Sequence, residues 1–238
     1  PVQRACVGAA VARAAGRPAV FVCGDEREVQ TLCADLETLT GSRPVTLLGR
    51  EWQLRPGAVA SRDWERGRLA ALYALASGRA ETVVATADAL LERTLPPALL
   101  KGLAVTLEPG KRVDLKALTE GLLRGGYARC DQVEGVGQFA LRGGILDVFS
   151  PLMDQPVRCE FFDDEIDSMG AFDPATQRRT KNVESALILP AAEVLPRCAA
   201  GGLEGLGEKL SALAEKLAKK QKTEKTVQTL REDAERLK

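Results

Sequence analysis

Apolar residues recur along this chain with two different periods, and the change between them divides it. Up to Pro109, short apolar runs alternate with segments of helical spacing, the pattern of a parallel sheet with crossover helices. Ala19–Cys23 predicts a buried strand closed by Gly24. Val29, Leu32, Cys33 and Leu36 then share one helical face, and residues 45–48 predict a second strand. Residues 50–62, which contain Pro56 and Gly57, predict a loop. A second helix carries Leu69, Leu72, Tyr73 and Ala76, and Thr82–Thr86 follows Gly78 as a third strand.

Beyond Pro109 the spacing shortens. Asp114 can cap a helix with Leu115, Leu118 and Leu122 on one stripe, which Gly125 and Gly126 can end. Short strands follow at 138–141, 145–149, 157–162, 166–172 and 186–189, separated by turn residues at Gly143-Gly144, Asp163-Asp164 and Asp173-Pro174. This predicts an antiparallel α+β insert. After Gly201-Gly202 a leucine stripe at 206, 210, 213 and 217 and a second at Val227, Leu230, Ala234 and Leu237 predict two helices packed on the first domain. A coiled coil is the alternative, but two short stripes separated by the polar stretch 219–226 fall short of three or four sustained heptads, and the lysines among residues 216–225 predict a solvated face. The start at Pro1 without methionine and the end inside a charged helical pattern predict a piece of a longer protein.

Side chains alternate across a strand, so in residues 157–162 Val157, Cys159 and Phe161 share one face while Arg158, Glu160 and Phe162 share the other. The first is a core face. The second mixes a cation, an anion and a phenyl ring, which suits a contact surface better than an interior. The bland alternative is a pair of surface arginines, Arg142 and Arg158, beside an apolar residue covering a sheet edge.

Lysine plus arginine equals aspartate plus glutamate, 33 against 33, so no global field draws the chain to nucleic acid or an anionic membrane. Residues 127–200 carry 7 basic and 12 acidic groups, which leaves Arg142 and Arg158 as isolated cations in an acidic segment. Histidine is absent, which removes its acid/base chemistry, its nucleophile pairs and the commonest transition-metal ligand. The six cysteines are far apart without a C-x-x-C and predict small core residues in a reducing compartment. No run approaches the roughly 18 apolar residues of a membrane span, and the start has no secretory pattern, so a cytosolic protein is expected.

The phosphate-binding loop G-x-x-x-x-G-K-[ST] is missing; in the nearest cluster, GGLEGLGEKLS, Glu208 stands where lysine would follow glycine. No bound cofactor is expected. Arg43, Arg50, Arg55, Arg62, Arg66 and Arg68 concentrate positive charge, but Glu51, Asp63 and Glu65 interleave and Trp52 and Trp64 are the aromatics among them. A solvated helix and loop is the expectation there, in place of a nucleic-acid patch. Asp163, Asp164, Glu165 and Asp167 read as a hairpin turn and the start of its strand, since they lack a calcium-loop spacing.

The runs RGGILDVFSP, PVRCEFFDDEIDSMGAFDPATQR and LILPAAEVLP, with LYALASGRAETVVATADALLERTLPP and GYARCDQVEGVGQFALRGG upstream, closely resemble the amino-terminal UvrB-homology module of the bacterial transcription-repair coupling factor (Mfd) family. The resemblance runs from about Phe21 to Pro196 and is weak over the first twenty residues. It implies a degenerate helicase-like (RecA/P-loop-like) α/β subdomain at 1–109, an inserted α+β UvrA-binding domain at 110–200, and a helical segment at 201–238 returning to the first subdomain. Its UvrA-contacting residues map to Arg142, Arg158 and Phe162. Asp163 stands where the family usually has glycine. UvrB shares the insert but also carries a phosphate-binding loop and a tyrosine-rich hairpin; here Tyr73 and Tyr127 are the only tyrosines, which favours the coupling factor.

What the resemblance implies is a non-catalytic module that recruits UvrA in transcription-coupled nucleotide excision repair. ATP, DNA and RNA polymerase would belong to other parts of the parent translocase. A UvrB-like ATP-dependent DNA-damage-recognition domain is the competing class, discriminated by nucleotide binding. A third reading is a clamp that silences the parent motor through intramolecular contact with its carboxy-terminal region.

Overall fold

The computed structural model describes residues 2–49, 62–219 and 224–237. Arg50, Glu51, Trp52, Arg55 and most of the expected loop, with the side chains of Arg62 and Asp63, lie outside the described residues. The chain opens with helix α1 (Val2–Ala15), strand β1 (Ala19–Cys23), helix α2 (Glu26–Thr40), strand β2 (Val45–Leu47), helix α3 (Arg62–Ala76) and strand β3 (Thr82–Thr86). The three strands form a parallel sheet in the order β1-β3-β2. The side chain of Asp25 accepts from the backbone N–H of Glu28 at the start of α2, and Gly41 ends that helix at φ 73°, a left-handed cap that glycine adopts without a Cβ penalty. The predicted stripe of α2 is the one that buries: Val29, Leu32, Cys33 and Leu36 pack on Phe21, Cys23 and Val84. On the other side Leu69 and Leu72 of α3 meet Leu47 and Ala85. Helix α1 escapes the sequence pattern because small apolar residues run all round it, leaving no stripe to read.

Short helices α4 (Ala87–Leu91) and α5 (Pro97–Leu103) lead to strand β4 (Val105–Leu107) and helix α6 (Leu115–Arg124), capped by Asp114 as its sequence predicts. Strands β5 (Ala128–Arg129), β6 (Gln138–Arg142), β7 (Ile145–Val148), β8 (Val157–Phe162), β9 (Glu165–Phe172) and β10 (Arg179–Asn182) then form one sheet in the order β10-β9-β8-β7-β6-β5. It is antiparallel except for the β5–β6 pair. Strand β11 (Ala186–Ile188) does not join this sheet with the other strands of the expected insert and pairs antiparallel with β4. The chain therefore enters and leaves the antiparallel unit on neighbouring strands. The entering strand β4 lies just ahead of Pro109, where the pattern changes. One face of the large sheet packs Phe139, Leu146, Val157, Cys159, Ile166 and Met169 against Leu118 and Leu122 of α6.

Arg66 and Arg68 of α3 do not form the expected solvated face. Arg68 is 1% exposed and grips Glu193 with two hydrogen bonds, Nε to Oε2 at 2.8 Å and Nη2 to Oε1 at 3.0 Å. Its Nη1 lies 3.3 Å from Glu92 Oε2 and also donates to the carbonyl of Leu48, and its guanidinium lies over the Trp64 ring. Arg66 donates to the carbonyls of Pro151 and, at 3.3 Å, Met153. These bonds join the parallel-sheet unit to the turn after β7 and to the segment after β11. Ala192, Leu195 and Cys198 add an apolar seal against the core of α3 and α5. Arg43 stays exposed.

After a 3₁₀ turn (Pro196–Cys198), helices α7 (Gly202–Lys219) and α8 (Glu224–Arg236) pack chiefly on each other. The expected docking of two leucine stripes on the first domain is replaced by this pairing. Its centre is Gly207, Ala214, Val227 and Ala234, with Leu206, Leu210 and Leu217 only partly covered and Leu213 exposed. Small residues win because the backbones approach closely: a Cβ at Gly207 would lie 3.3 Å from the carbonyl oxygen of Ala234. Among the described residues no helix is long and apolar enough to cross a membrane.

All six cysteines are free thiols; Cys23, Cys33 and Cys159 are buried, as expected of small core residues, whereas Cys6 is exposed. Burial, with the nearby Asp147 charge, pushes the Cys159 thiol up to about 12.

Two outcomes follow. Arg68→Ala removes the bidentate partner of the buried Glu193 carboxylate and is expected to cost about 3 kcal/mol of stability, read as a lowered midpoint in denaturant unfolding. Alkylation at about pH 8 is expected to modify Cys6 in the native chain and spare Cys159 until denaturant is added. Because the folded thiol ionises later than the unfolded one, the Cys159 contribution to stability is present below 9.0 and lost as pH rises from 9.0 towards about 12.

Candidate functional site

Two hairpin turns lie side by side at one end of the large sheet. The β6–β7 loop is Gly143-Gly144 and the β8–β9 loop is Asp163-Asp164, each with its first residue left-handed, Gly143 at φ 58° and Asp163 at φ 59°. Aspartate tolerates that region better than most residues, which lets it stand at a position suited to glycine. The turns touch: the Phe161 N–H donates to the Gly144 carbonyl at 2.7 Å, and a Cβ on Gly144 would lie 3.0 Å from the Phe161 carbonyl oxygen. Arg142 and Phe162 are the last strand residues before their respective turns.

Register places the rest. Arg142 is opposite Ile145, Ile145 opposite Glu160, Asp147 opposite Arg158, and Arg158 opposite Gly170. All therefore share the sheet face that points away from α6. On the inner face of β9 the pairing steps from Glu160–Ser168 to Phe161–Ile166, so Asp167 is an extra residue that bulges out. That step lets both Ile166 and Met169 reach the core although their odd spacing forbids it in a regular strand.

Phe162 is 81% exposed, so the alternation argument places its ring correctly. Arg158 is different. Its side chain is 21% exposed and held by a fully enclosed carboxylate: Nε donates to Asp147 Oδ1 at 2.7 Å and Nη2 to Oδ2 at 2.8 Å. Two longer bonds of 3.3 Å run to the Gln177 carbonyl and side-chain oxygens, and the guanidinium stacks over the Phe172 ring at 4.6 Å. The hydrogen bonds that Arg158 donates to Asp147 raise its pKa above the ordinary value. Arg142, 48% exposed at its side chain, donates from Nη2 to the same Asp147 Oδ2 at 2.7 Å.

The expectation that this face has no core is thus corrected on the side of Arg158. Val133, Ala140, Phe149 and Phe172 form a second, smaller core there, and Arg158 lies at its margin because Asp147 neutralises it. The other side, with Arg142, Ile145 and Phe162, stays open. Sequence reasoning passed over Asp147, a lone carboxylate in the apolar run ILDVF; a charged residue at a core position of a strand was the signal. Gln177, left-handed at φ 60° and bonded to the carbonyls of Val133 and Pro174, had no such signal.

Residues 105–193 match the UvrB interaction domain family. The chain is similar to the transcription-repair-coupling factor of Myxococcus xanthus, 38% identical over 190 residues covering 75% of this chain and 16% of the relative. It is 33% identical to that of Escherichia coli K12 over 178 residues, 74% of this chain and 15% of the relative. The Bacillus subtilis protein of the same name is 31% identical over 238 residues, 98% of this chain and 20% of the relative. The chain spans no more than a fifth of the length of these curated relatives.

The three site residues are expected to separate in a stability measurement. Arg158→Ala leaves the enclosed carboxylate half-paired and costs about 2–3 kcal/mol, whereas Phe162→Ala changes unfolding by less than about 0.5 kcal/mol. Arg142→Ala falls between them, all read from denaturant midpoints.

Proposed function

With residues 105–193 a member of the UvrB interaction domain family and the chain homologous to part of the transcription-repair coupling factors, we propose that it is the module through which such a factor recruits UvrA. The observation that carries this is the exposed ring of Phe162 on the same sheet face and at the same hairpin end as the half-exposed guanidinium of Arg142. An exposed aromatic ring sharing a face with an arginine and a partly exposed aliphatic residue, Ile145, has the composition of an interface centre. The ring supplies apolar area to desolvate, and Arg142 pairs with a carboxylate or carbonyl of the partner.

In this reading the chain is non-catalytic and binds no cofactor. Residues 1–109 form a degenerate helicase-like subdomain, 110–200 the UvrA-binding insert and 201–238 a helical extension. ATP-driven translocation, DNA and RNA polymerase contacts belong to the rest of the parent protein, and the same insert surface takes part in its autoinhibition by meeting its carboxy-terminal region.

Phe162→Ala is expected to weaken UvrA binding by about 2 kcal/mol, roughly thirtyfold in Kd, in a calorimetric titration of the 238-residue chain. Unchanged affinity removes Phe162 from the contact. Saturable ATP binding with no affinity for UvrA replaces recruitment with the UvrB-like class.

A further inference from the structure

We propose that Asp147, and not either arginine, is the residue that sets the geometry of the contact surface: its enclosed carboxylate fixes Arg142 in the orientation offered to the partner, and Arg158 serves chiefly to hold that carboxylate. The inference rests on the recruitment reading and deepens it.

The bookkeeping of donors carries the division. Asp147 Oδ1 accepts from Arg158 Nε, and Oδ2 accepts from both Arg158 Nη2 and Arg142 Nη2. Arg158 has its fork on Asp147, its remaining contacts on Gln177 and one planar face on Phe172. Little of its hydrogen-bonding capacity is left for another chain. Arg142 uses one terminal nitrogen on Asp147 and keeps half its side chain in solvent, which leaves donors pointing outward.

Two guanidiniums meeting at one carboxylate oxygen repel each other, and only the shared anion keeps them together. An arginine free in solvent loses rotamer freedom when a partner immobilises it; one already fixed by a rigid carboxylate loses less. Asp147 is rigid because it lies in a central strand with neighbours on both sides, β6 and β8. It is therefore a positioning residue, which acts on the partner through Arg142.

A purely structural role for Asp147 predicts a different pattern of losses, so the test is a set of double-mutant cycles on the 238-residue chain with UvrA as titrant. Asp147→Asn keeps the shape and removes the charge. Alone it is expected to weaken binding by about tenfold, the scale of releasing one or two long side chains. In that background Arg142→Ala is expected to cost almost nothing further, whereas Phe162→Ala still costs its full factor.

Wild-type affinity for Asp147→Asn overturns the inference, as do losses from Asp147→Asn and Arg142→Ala that simply multiply. Loss of the Phe162 contribution as well marks general loosening of the fold and also overturns it. If Asp147→Asn does not fold, Arg158→Lys replaces it: an ammonium keeps the charge but cannot form the fork, and its loss is again expected to be shared with Arg142→Ala, multiplying losses being the contrary result. Failure of the unmodified chain to bind UvrA overturns the recruitment reading and this inference together, while normal binding with multiplying losses overturns the inference alone.

Discussion

A carboxylate taken out of water must meet a cation, because an unpaired buried charge costs more than a domain can spare. That constraint is met twice, and each time it decides how pieces of the chain sit. Glu193, in the segment after the last strand, meets Arg68 of α3 in a bidentate pair. This fixes the antiparallel unit on the parallel sheet more sharply than apolar contact alone could, since a fork has one direction of approach. Asp147 meets Arg158 and Arg142 on the open face of the large sheet. Neither pair needs to add net stability. Both carry a penalty for any arrangement that separates them, which is how buried ion pairs specify geometry.

The two pairings differ in what they leave behind. Around Arg68 the guanidinium is closed off from solvent: two glutamates, a carbonyl and the Trp64 ring surround it, and it is 1% exposed. Around Asp147 the site stays partly open: one enclosed carboxylate holds two guanidiniums, Glu160 on the same face also acts on Arg158, and half of the Arg142 side chain remains in solvent.

Much of this was legible in the sequence, and the failures have physical causes. Strand β3, the stripe of α2 and the Asp114 cap of α6 follow from local periodicity and capping alone, whereas β1 forms where expected but is an edge strand that exposes Val20 and Val22 instead of being buried. Phe162 followed from alternation. Alternation put Arg158 on the correct face but could not give what covers it, since the loop that supplies Gln177 and the end of β9 that brings Phe172 under the guanidinium are non-local. The departure of β11 to pair with β4 has the same origin, since strand partners are chosen by sequence-distant contacts. The α7–α8 pairing misled for the opposite reason: leucines dominate the pattern, yet backbone approach at Gly207 gives the centre to glycine and alanine.

The position of the site at the hairpin ends is itself a consequence of strand geometry. A two-residue turn holds the residue before it on a strand whose register is fixed, so its side chain is exposed without being mobile on the scale of a long loop. Here two such turns touch through the Phe161 N–H and the Gly144 carbonyl, so Arg142 and Phe162 are carried by one rigid edge and not by two independent tips. A side chain at Gly144 would press on the Phe161 carbonyl, and the spacing of the two contact residues would open. The same glycine pair that reads in the sequence as a simple turn signal therefore also fixes the distance between the cation and the ring.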